Sequence, residues 1–399
     1  MVKYYQTLLN KLYKMRKSVF VLGLFSFLSF FSFSQNDQLD VNGYIKYLPS
    51  ISFSGNDNLT TNLIHNRINV KSYLNDYTTV KIDFRNRIFF GDVVDRDPNL
   101  SEMLDIDNGE LDMSFIIIED NSLIVHSIID RAYIDYAKDK WEIRLGRQRI
   151  NWGINLAWNS NDLFNAYSFV DFDYEERPGT DAVRFQYYTG DFASFDFACK
   201  FGENADDMVL GGMYKFNKWK YDLQLLVANY YTDYAIGGGW AGNLKDAGFK
   251  GEATYFRSKK NMKDTTGVIS ASSSVDYSFK NGIYLNGSVL YNSNGSDEFD
   301  NEMVQLMSAS SEHLTAKSLM PTKYSYFVQA NKMFNPMISA SMAVIYGQGM
   351  DILFFMPSVS YSIKENWDLN LTSQSFFLKS DNEFDNLGNS IFCRLRWSF

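Results

Sequence analysis

The chain has 399 residues, a formal net charge of −9 and 3 histidines. The negative charge disfavours nucleic-acid binding, which requires a basic surface. The length would allow two or three globular domains, but a single large barrel of strands can have the same length. Aromatic residues make up 17% of the chain and prolines number only 6, a combination that favours β-strands.

The N-terminal segment has the pattern of a secretory signal peptide. Arg16 and Lys17 precede an apolar core over residues 19–31, and small residues at 32 and 34 place cleavage before Gln35. We therefore expect residues 1–34 to be removed, with Met15 as an alternative start, and residues 35–399 to form the mature protein. An uncleaved anchor helix is the alternative, although the apolar core is short for a membrane span.

Beyond this segment, no uninterrupted apolar run approaches the roughly 18 residues of a membrane-spanning helix. A membrane location would therefore require a closed β-barrel, whose strands satisfy one another's backbone groups. Short alternating segments separated by turn residues continue to the C-terminus and predict an all-β, antiparallel up-and-down transmembrane barrel. Eighteen strands are predicted, near 41–54, 61–74, 78–90, 123–137, 140–149, 181–189, 192–201, 207–216, 218–231, 233–242, 247–257, 267–280, 283–293, 322–334, 337–347, 352–363, 366–379 and 388–399.

The connections support this strand number. In a barrel with both termini in the periplasm, short periplasmic turns alternate with longer outer loops. The long connections, near 91–122, 150–180 and 294–321, all fall on the outer side in this register. A count of sixteen is the alternative, because the segment near 233–242 contains Gly237, Gly238 and Gly239, and glycine weakens a strand.

Charged residues alternate with apolar residues along several strands. Charged side chains on the lipid face would cost roughly 2–4 kcal/mol each near the bilayer midplane, so the polar face should line a wet interior. They would either set ion preference or brace the wall through internal salt bridges. The predicted pore-lining residues are Arg67, Lys71, Lys81, Asp83, Arg85, Arg87, Arg131, Asp135, Arg144 and Arg184.

The first long loop, 91–122, carries ten acidic residues and is predicted to form an exposed acidic rim. Asp92, Asp95 and Asp97 leave calcium binding as an alternative, but the spacing lacks the glycine and terminal glutamate of a helix-loop-helix calcium site. No metal ion or cofactor is therefore assigned to the chain.

The segment Leu145-Gly146-Arg147-Gln148-Arg149-Ile150-Asn151-Trp152-Gly153, followed by Asn165-Ala166-Tyr167 and Arg177-Pro178-Gly179, is distinctive. A strand that ends in Gly-Arg-Gln and continues through Trp-Gly into a long loop resembles porin-like outer-membrane barrels of the Bacteroidota and related porins of Proteobacteria. The resemblance implies a channel without identifying its substrate. Strict alternation would direct Arg147 outward, whereas a bulge at Gly146 would turn it inward.

The loop that follows, 150–180, is rich in both aromatic and acidic residues. Such loops are seldom fully solvated, and we predict that this one folds into the barrel mouth. Its charged end would then face the basic wall and create a transverse field at the narrowest point. A surface loop packed on its neighbours is the alternative. The predicted constriction residues are Asp171, Asp173, Glu175, Glu176 and Arg177.

The last nine residues alternate between an apolar face, from Ile391 to Phe399, and a polar face with Arg394 and Arg396. This end resembles the C-terminal signal of bacterial outer-membrane barrels, whose last strand finishes on an aromatic residue. The resemblance implies recognition by the barrel-assembly machinery. An edge strand of a soluble periplasmic protein is the alternative.

Signals of catalysis are weak. His65, His126 and His313 do not have the spacing of a zinc site, and no serine lies in a nucleophile-elbow sequence. Cys199 and Cys393 are each predicted to face lipid. The chain is therefore not expected to be an enzyme.

The sequence thus favours an outer-membrane channel for passive diffusion of small polar or charged solutes, because about 18 strands enclose an aqueous lumen. The alternative is a non-conducting barrel that anchors surface or secretion components. Outer-membrane lipid and small solutes are the expected partners. Monomer and homotrimer are both compatible with the sequence.

Overall fold

The computed structural model describes residues 38–55, 57–107, 109–167, 169–173, 175–260, 266–296, 314–380 and 383–399. The predicted signal peptide, His313 and much of the predicted loop 294–321 lie outside the described residues. In the described part of the chain, no helix has the length and apolar character needed to cross a membrane.

In the described ranges, strands make up almost all of the regular structure, and there are two short helices, α1 (Asp92–Arg96) and α2 (Leu100–Leu104). The strands are β1 (Leu39–Ser54), β2 (Asp57–Asn75), β3 (Thr78–Phe90), β4 (Ser114–Asp120), β5 (Leu123–Lys138), β6 (Trp141–Gln148), β7 (Thr180–Gly190), β8 (Ala193–Lys200), β9 (Val209–Lys218), β10 (Tyr221–Tyr230), β11 (Asp233–Leu244), β12 (Ala247–Ser258), β13 (Val268–Ser278), β14 (Ile283–Asn292), β15 (Tyr324–Asn335), β16 (Ile338–Gln348), β17 (Ile352–Lys364), β18 (Trp367–Ser380) and β19 (Glu383–Ser398).

The strands form a closed antiparallel barrel. β1 pairs with β19 at the closure, where the backbone N–H and C=O groups of Gly43 and Phe399 exchange two hydrogen bonds of 3.0 Å. β3 pairs directly with β5, so the wall contains 18 strands and β4 is an addition beside β5. The predicted barrel and its strand number are confirmed, including the glycine-rich β11.

Alternation along each strand separates an apolar exterior from a mixed interior. On β10, Leu225 and Val227 are each 60% exposed, whereas Gln224 and Leu226 on the other face are 4% and 2% exposed. This is the reverse of a soluble protein, since apolar side chains cover the outside. Such an outer band matches a hydrocarbon environment.

The predicted acidic rim, loop 91–122, contains structure that the sequence did not reveal. It holds α1, α2 and β4, and β4 pairs with the part of β5 that extends beyond β6. Asp92 accepts hydrogen bonds from the backbone N–H and the hydroxyl of Thr60 on β2, at 2.9 and 2.7 Å. The loop is therefore folded against the rim instead of extending into solvent.

Every turn at the barrel end where β1 begins and β19 ends is short, at four residues or fewer, whereas the long connections all lie at the opposite end. This end is called the short-turn end below, and the opposite end is called the loop end. Several of these turns place a non-glycine residue in the left-handed region, including Asp139, Lys245 and Asn366 at φ of 53, 56 and 65°. Aspartate and asparagine tolerate this conformation better than most residues.

Candidate functional site in the barrel interior

The predicted basic wall contains a buried ion network on β2, β3 and β5. Arg67 is 1% exposed; it lies 3.1 Å from Asp83 and forms a shorter ion pair with Asp130. Lys81 lies 3.2 Å from the same Asp83, and Arg85 lies 3.6 Å from Asp130. Opposite charges at these distances satisfy one another where water is scarce, so this part of the wall is cross-braced.

Asp130 was not predicted to face the interior. The register of β3 and β5 shifts between Asp83 and Phe84, which adds one residue to β5 at this point. The resulting bulge places Asp130, 3% exposed, beside Arg131 on the inner side. A simple alternating pattern cannot reveal such a shift, because the inserted residue reverses the faces beyond it.

The other predicted pore-lining residues also have partners. Arg144 contacts Asp135 and Glu142, both at 2.9 Å, and Arg184 contacts Asp196 at 2.5 Å. Arg87 donates to Nδ1 of His126 at 3.2 Å, and the ammonium of Lys71 lies 4.6 Å from the ring of Tyr73. Much of the positive charge on this wall is therefore neutralised locally.

The strand pairing shows no bulge at Gly146, because β6 pairs with β5 and β7 without a register shift at this residue. Gly146 has a φ of 117°, a conformation that favours glycine, and Arg147 is 2% exposed. The Arg147 guanidinium contacts Asp181 at 2.9 Å and Asp107 at 2.6 Å. Because Asp107 belongs to loop 91–122, this cluster ties that loop to the top of β6 and β7.

Loop 150–180 lies inside the barrel and contacts opposite sides of the wall. On one side, the backbone N–H of Ile154 donates to Glu252 of β12 at 2.8 Å. On the other, Glu176 lies 3.9 Å from Arg67 of β2. β2 is the second wall strand and β12 the eleventh, so half of the 18-strand wall separates them. The loop therefore crosses the lumen.

The first half of the loop packs on an apolar and hydroxyl-bearing part of the wall. Trp152 is fully buried and packs edge-on against Phe164, and Trp158 packs against Phe327 of β15. Hydroxyl groups of β13 continue the contact, because Ser272 donates to the carbonyl of Trp158 at 2.9 Å. These contacts fix the loop to the wall over β8–β17.

Glu252 attaches this half of the loop to the wall. It is 1% exposed, and its carboxyl group accepts the backbone N–H groups of Ile154 and Asn161. The glycines of β11 make room for the same segment. A Cβ at Gly239 would lie 2.7 Å from the side chain of Ile154, and one at Gly237 would lie 3.0 Å from that of Asn161. The glycines that weakened the strand prediction are thus explained by the loop.

The acidic end of the loop contacts the basic wall directly. Asp173 lies 2.8 Å from Lys46 of β1, and Glu175 contacts both Arg394 and Arg396 of β19 at 2.9 Å. Burial opposes ionisation of Asp173, but His65 and Lys46 outweigh it and lower the pKa to about 2. Lys46, His65, Arg394 and Arg396 were not among the predicted site residues, although alternation places them on the inner face.

Arg177 and Tyr167 join the two halves of the loop. The Arg177 guanidinium stacks 3.9 Å from the Tyr167 ring and donates to the carbonyl of Asp171 at 3.2 Å. Arg177 has a φ of 60°, and the carbonyls of Glu176 and Arg177 accept hydrogen bonds from Arg131 at 2.7 and 2.8 Å. Arg131 therefore holds the loop backbone.

Asp162 is a buried carboxyl in the first half of the loop. Burial raises its pKa from 3.8 to about 7, although the charge of Arg149 acts in the opposite direction. Because the folded state binds this proton more tightly, the contribution to stability is full below about pH 4 and is lost as the pH rises through about 7.

Asp162→Asn should therefore raise the thermal unfolding midpoint at pH 8, where the wild type must bury a charge, by an amount corresponding to a few kcal/mol at most. The difference should shrink towards zero near pH 4. Thermal unfolding of both proteins at the two pH values tests this. An effect of equal size at both values would contradict the assignment.

A serine, a histidine and an aspartate meet near the loop end. The direction of the hydrogen bonds between them is unsuited to nucleophilic attack by the serine. Nδ1 of His126 accepts from Arg87, so Nε2 carries the proton and donates to Ser114 at 2.8 Å. The Ser114 hydroxyl in turn donates to Asp105 at 2.7 Å. A catalytic histidine must instead accept the serine proton. These residues clamp β4 and its loop to β5.

Among the described residues, no group of three or more histidine, cysteine, aspartate or glutamate side chains is arranged to hold a metal ion. Cys199 is half-buried and Cys393 exposed, and neither is in a disulfide.

A cavity of about 300 Å³ opens between the loop and the short-turn end. Its lining includes Ile154 of the loop and the wall residues Tyr188, Lys215, Asp222 and Gln224. Polar groups of both signs therefore face a space on this side of the crossing loop.

No protein-family profile matches the sequence, and no curated protein sequence is significantly similar to it. Solved structures do match the fold. OccK5 (OpdH) of Pseudomonas aeruginosa is 9% identical with a TM-score of 0.58, over 91% of this chain and 99% of that chain. OccK8 (OprE) of the same organism is 9% identical with a TM-score of 0.58, over 91% and 98%. OccAB4 of Acinetobacter baumannii is 10% identical with a TM-score of 0.55, over 92% and 99%. These proteins are Occ/Opd outer-membrane porins, and this chain shares their barrel fold.

Proposed function

We propose that this protein is an outer-membrane channel for passive diffusion of small polar or charged solutes. The observation that carries the proposal is the loop that crosses the lumen between β12 and β2 and places charged groups inside an 18-strand barrel. A barrel of this size encloses an aqueous channel unless its interior is filled. An infolded loop narrows such a channel and brings the charges of the loop and the wall close to a permeating solute.

The proposed constriction consists of Asp171, Asp173, Glu175, Glu176 and Arg177 on the loop. Opposite them, the proposed pore wall includes the predicted residues on β2, β3 and β5–β7, together with Lys46, Arg394 and Arg396. Permeating solutes would pass groups of both signs at close range. Since many of these groups are paired, selectivity would depend on the charge that remains uncompensated.

A non-conducting anchor is the second candidate, and one observation favours it. Arg67, Asp83 and Asp130 form a buried network that braces the wall, as a structural barrel would require. The anchor role would use the folded loop 91–122 as a contact surface. Discrete, stable openings in planar bilayers support the channel, whereas a correctly folded but silent barrel supports the anchor.

The basic wall provides a sharper test of the channel. Replacing Arg85, Arg87 and Arg144 with glutamine should shift the reversal potential in a salt gradient towards cations, because three positive charges leave the lumen. The control replaces Lys138, Lys140 and Lys245 at the short-turn end with glutamine, an equal charge change outside the barrel interior. Equal shifts in both variants would argue against a lumenal filter.

Export and assembly belong to the same proposal. The signal peptide over residues 1–34 would direct secretion, and the terminal Phe399 would be read by the barrel-assembly machinery. The proposed origin in the Bacteroidota depends on the porin-like motif that begins at Leu145 and ends at Gly153. No catalytic role is proposed.

A further inference from the structure

One buried carboxylate is shared between the barrel wall and the crossing loop. Asp196 of β8 is 1% exposed. From the neighbouring β7, the Arg184 guanidinium donates to both of its oxygens, at distances from 2.5 to 3.2 Å, and the Gln186 amide donates to it at 3.3 Å. From the loop, the indole N–H of Trp152 donates to Oδ2 at 3.1 Å. Wall and loop therefore share one acceptor group.

The Trp152 indole is enclosed by the wall beside Asp196. Its ring is 0% exposed, and a Cβ at Gly211 of β9 would lie 2.9 Å from two of the ring carbons. The amide of Gln224 on β10 donates to the Trp152 carbonyl at 2.8 Å. An indole has one N–H donor and no acceptor, so Asp196 satisfies the polar group of the ring. The loop is thereby fixed to three adjacent strands.

Asp196 combines two roles that Glu252 and Asp83 perform separately. Glu252 accepts backbone N–H groups of the loop, and Asp83 is paired with cations of the wall. Asp196 accepts the indole N–H of the loop and a guanidinium N–H of the wall on the same oxygen. Hydrogen bonds to an ionised acceptor are roughly twice as strong as neutral ones. The charge of Arg184 and the position of the loop therefore depend on one side chain.

We propose that Asp196 is a positioning residue of the proposed channel, which holds the first half of the crossing loop through Trp152 and at the same time neutralises Arg184. The two roles require different properties of the side chain. An acceptor oxygen is sufficient for the indole N–H, whereas a negative charge is needed to neutralise the guanidinium. Substitutions can therefore separate loop position from lumenal charge. The effect on ion preference rests on the proposed function, but the effect on the loop does not.

Hydrogen–deuterium exchange of the folded protein in bilayer nanodiscs tests the role in loop position. Asp196→Leu and Trp152→Phe should each raise amide exchange over residues 150–165 about tenfold, since each removes a hydrogen bond that involves a charged acceptor. Asp196→Asn keeps an acceptor oxygen and should remain close to the wild type. The matched control is Asp222→Leu on β10, where the carboxylate faces the cavity below the loop and its partner is Asn217 at 2.7 Å.

Unchanged exchange in both Asp196→Leu and Trp152→Phe would overturn the proposal, and so would an equal rise in Asp222→Leu. Heat-modifiable mobility would establish that each variant folds. Trp152→Phe decides alone if Asp196→Leu does not fold, because phenylalanine keeps an aromatic ring at this site.

Reversal potentials in a salt gradient test the role in lumenal charge. Asp196→Asn should shift the potential towards that of chloride, because Arg184 loses its counter-charge, and Arg184→Gln should shift it towards cations. The double variant has the net charge of the wild type and should return close to its potential. An Asp196→Asn shift that is absent or directed towards cations would overturn the role in charge. A silent, correctly folded barrel would instead reject the proposed function, and the exchange measurement would still decide the role of Asp196 in loop position.

Discussion

Glu252→Leu is expected to release the first half of the crossing loop and to raise single-channel conductance severalfold. The carboxylate accepts two backbone N–H groups of the loop from a site that is 1% exposed. Each donor left unsatisfied in a buried site costs about 1–3 kcal/mol. The pairing of β12 with its neighbours uses backbone groups, so the barrel itself should persist.

Two variants distinguish loop release from general damage to this wall. Glu252→Gln retains an acceptor oxygen and should remain close to the wild type in conductance. Asp276→Leu removes an inward carboxylate from the adjacent β13, where the partner is Lys250 at 3.6 Å and not the loop. Planar-bilayer recordings should therefore show the raised single-channel conductance only for Glu252→Leu. A folded Glu252→Leu channel with unchanged conductance would show that Glu252 does not hold the loop in place.

Neutralising Asp171, Asp173, Glu175 and Glu176 together should make the channel strongly anion-preferring. Asp173 and Glu175 lie within 2.9 Å of Lys46, Arg394 and Arg396, so their removal leaves those cations uncompensated. Unit charges about 4 Å apart interact by about 4 kcal/mol at an effective dielectric constant near 20. The reversal potential in a salt gradient should shift towards that of chloride.

The fourfold variant should also be less stable than the wild type, and Asp173→Asn alone should account for most of that loss of stability. Its partner Lys46 is 2% exposed, and a buried charge that loses its partner costs roughly 3–5 kcal/mol. The control neutralises Asp95, Glu102, Glu110 and Asp120, all exposed in loop 91–122. At physiological salt, charges more than about 8–10 Å from the ion are largely screened, so this control should shift the reversal potential little. Equal shifts would place selectivity at the rim.

The strand order could be predicted from sequence because each strand carries its own alternating pattern and turn. β4 was missed, since the apolar run from Phe115 to Ile118 lies within an acidic segment and pairs only with the end of β5. Asp130 was missed because a bulge reverses the alternation. The glycines of β11 were predicted to weaken a strand, whereas they make room for Ile154 and Asn161.

The candidate site was less accessible to sequence reasoning. The composition of loop 150–180 indicated infolding, but not which wall residue each side chain would meet. Glu252 and Asp162 could not be connected by periodicity, because their surroundings come from segments about 90 residues apart in sequence. Inward-facing Lys46, Arg394 and Arg396 follow the alternating pattern, but their pairing with Asp173 and Glu175 depends on the path of the loop.

The contacts of Glu175 also constrain the order of biogenesis. Its partners Arg394 and Arg396 are 219 and 221 residues away and belong to β19, which is synthesised after the other described strands. The acidic end of the loop therefore gains these ion pairs only when β19 closes on β1. Formation of the Glu175 ion pairs therefore indicates that the barrel has closed.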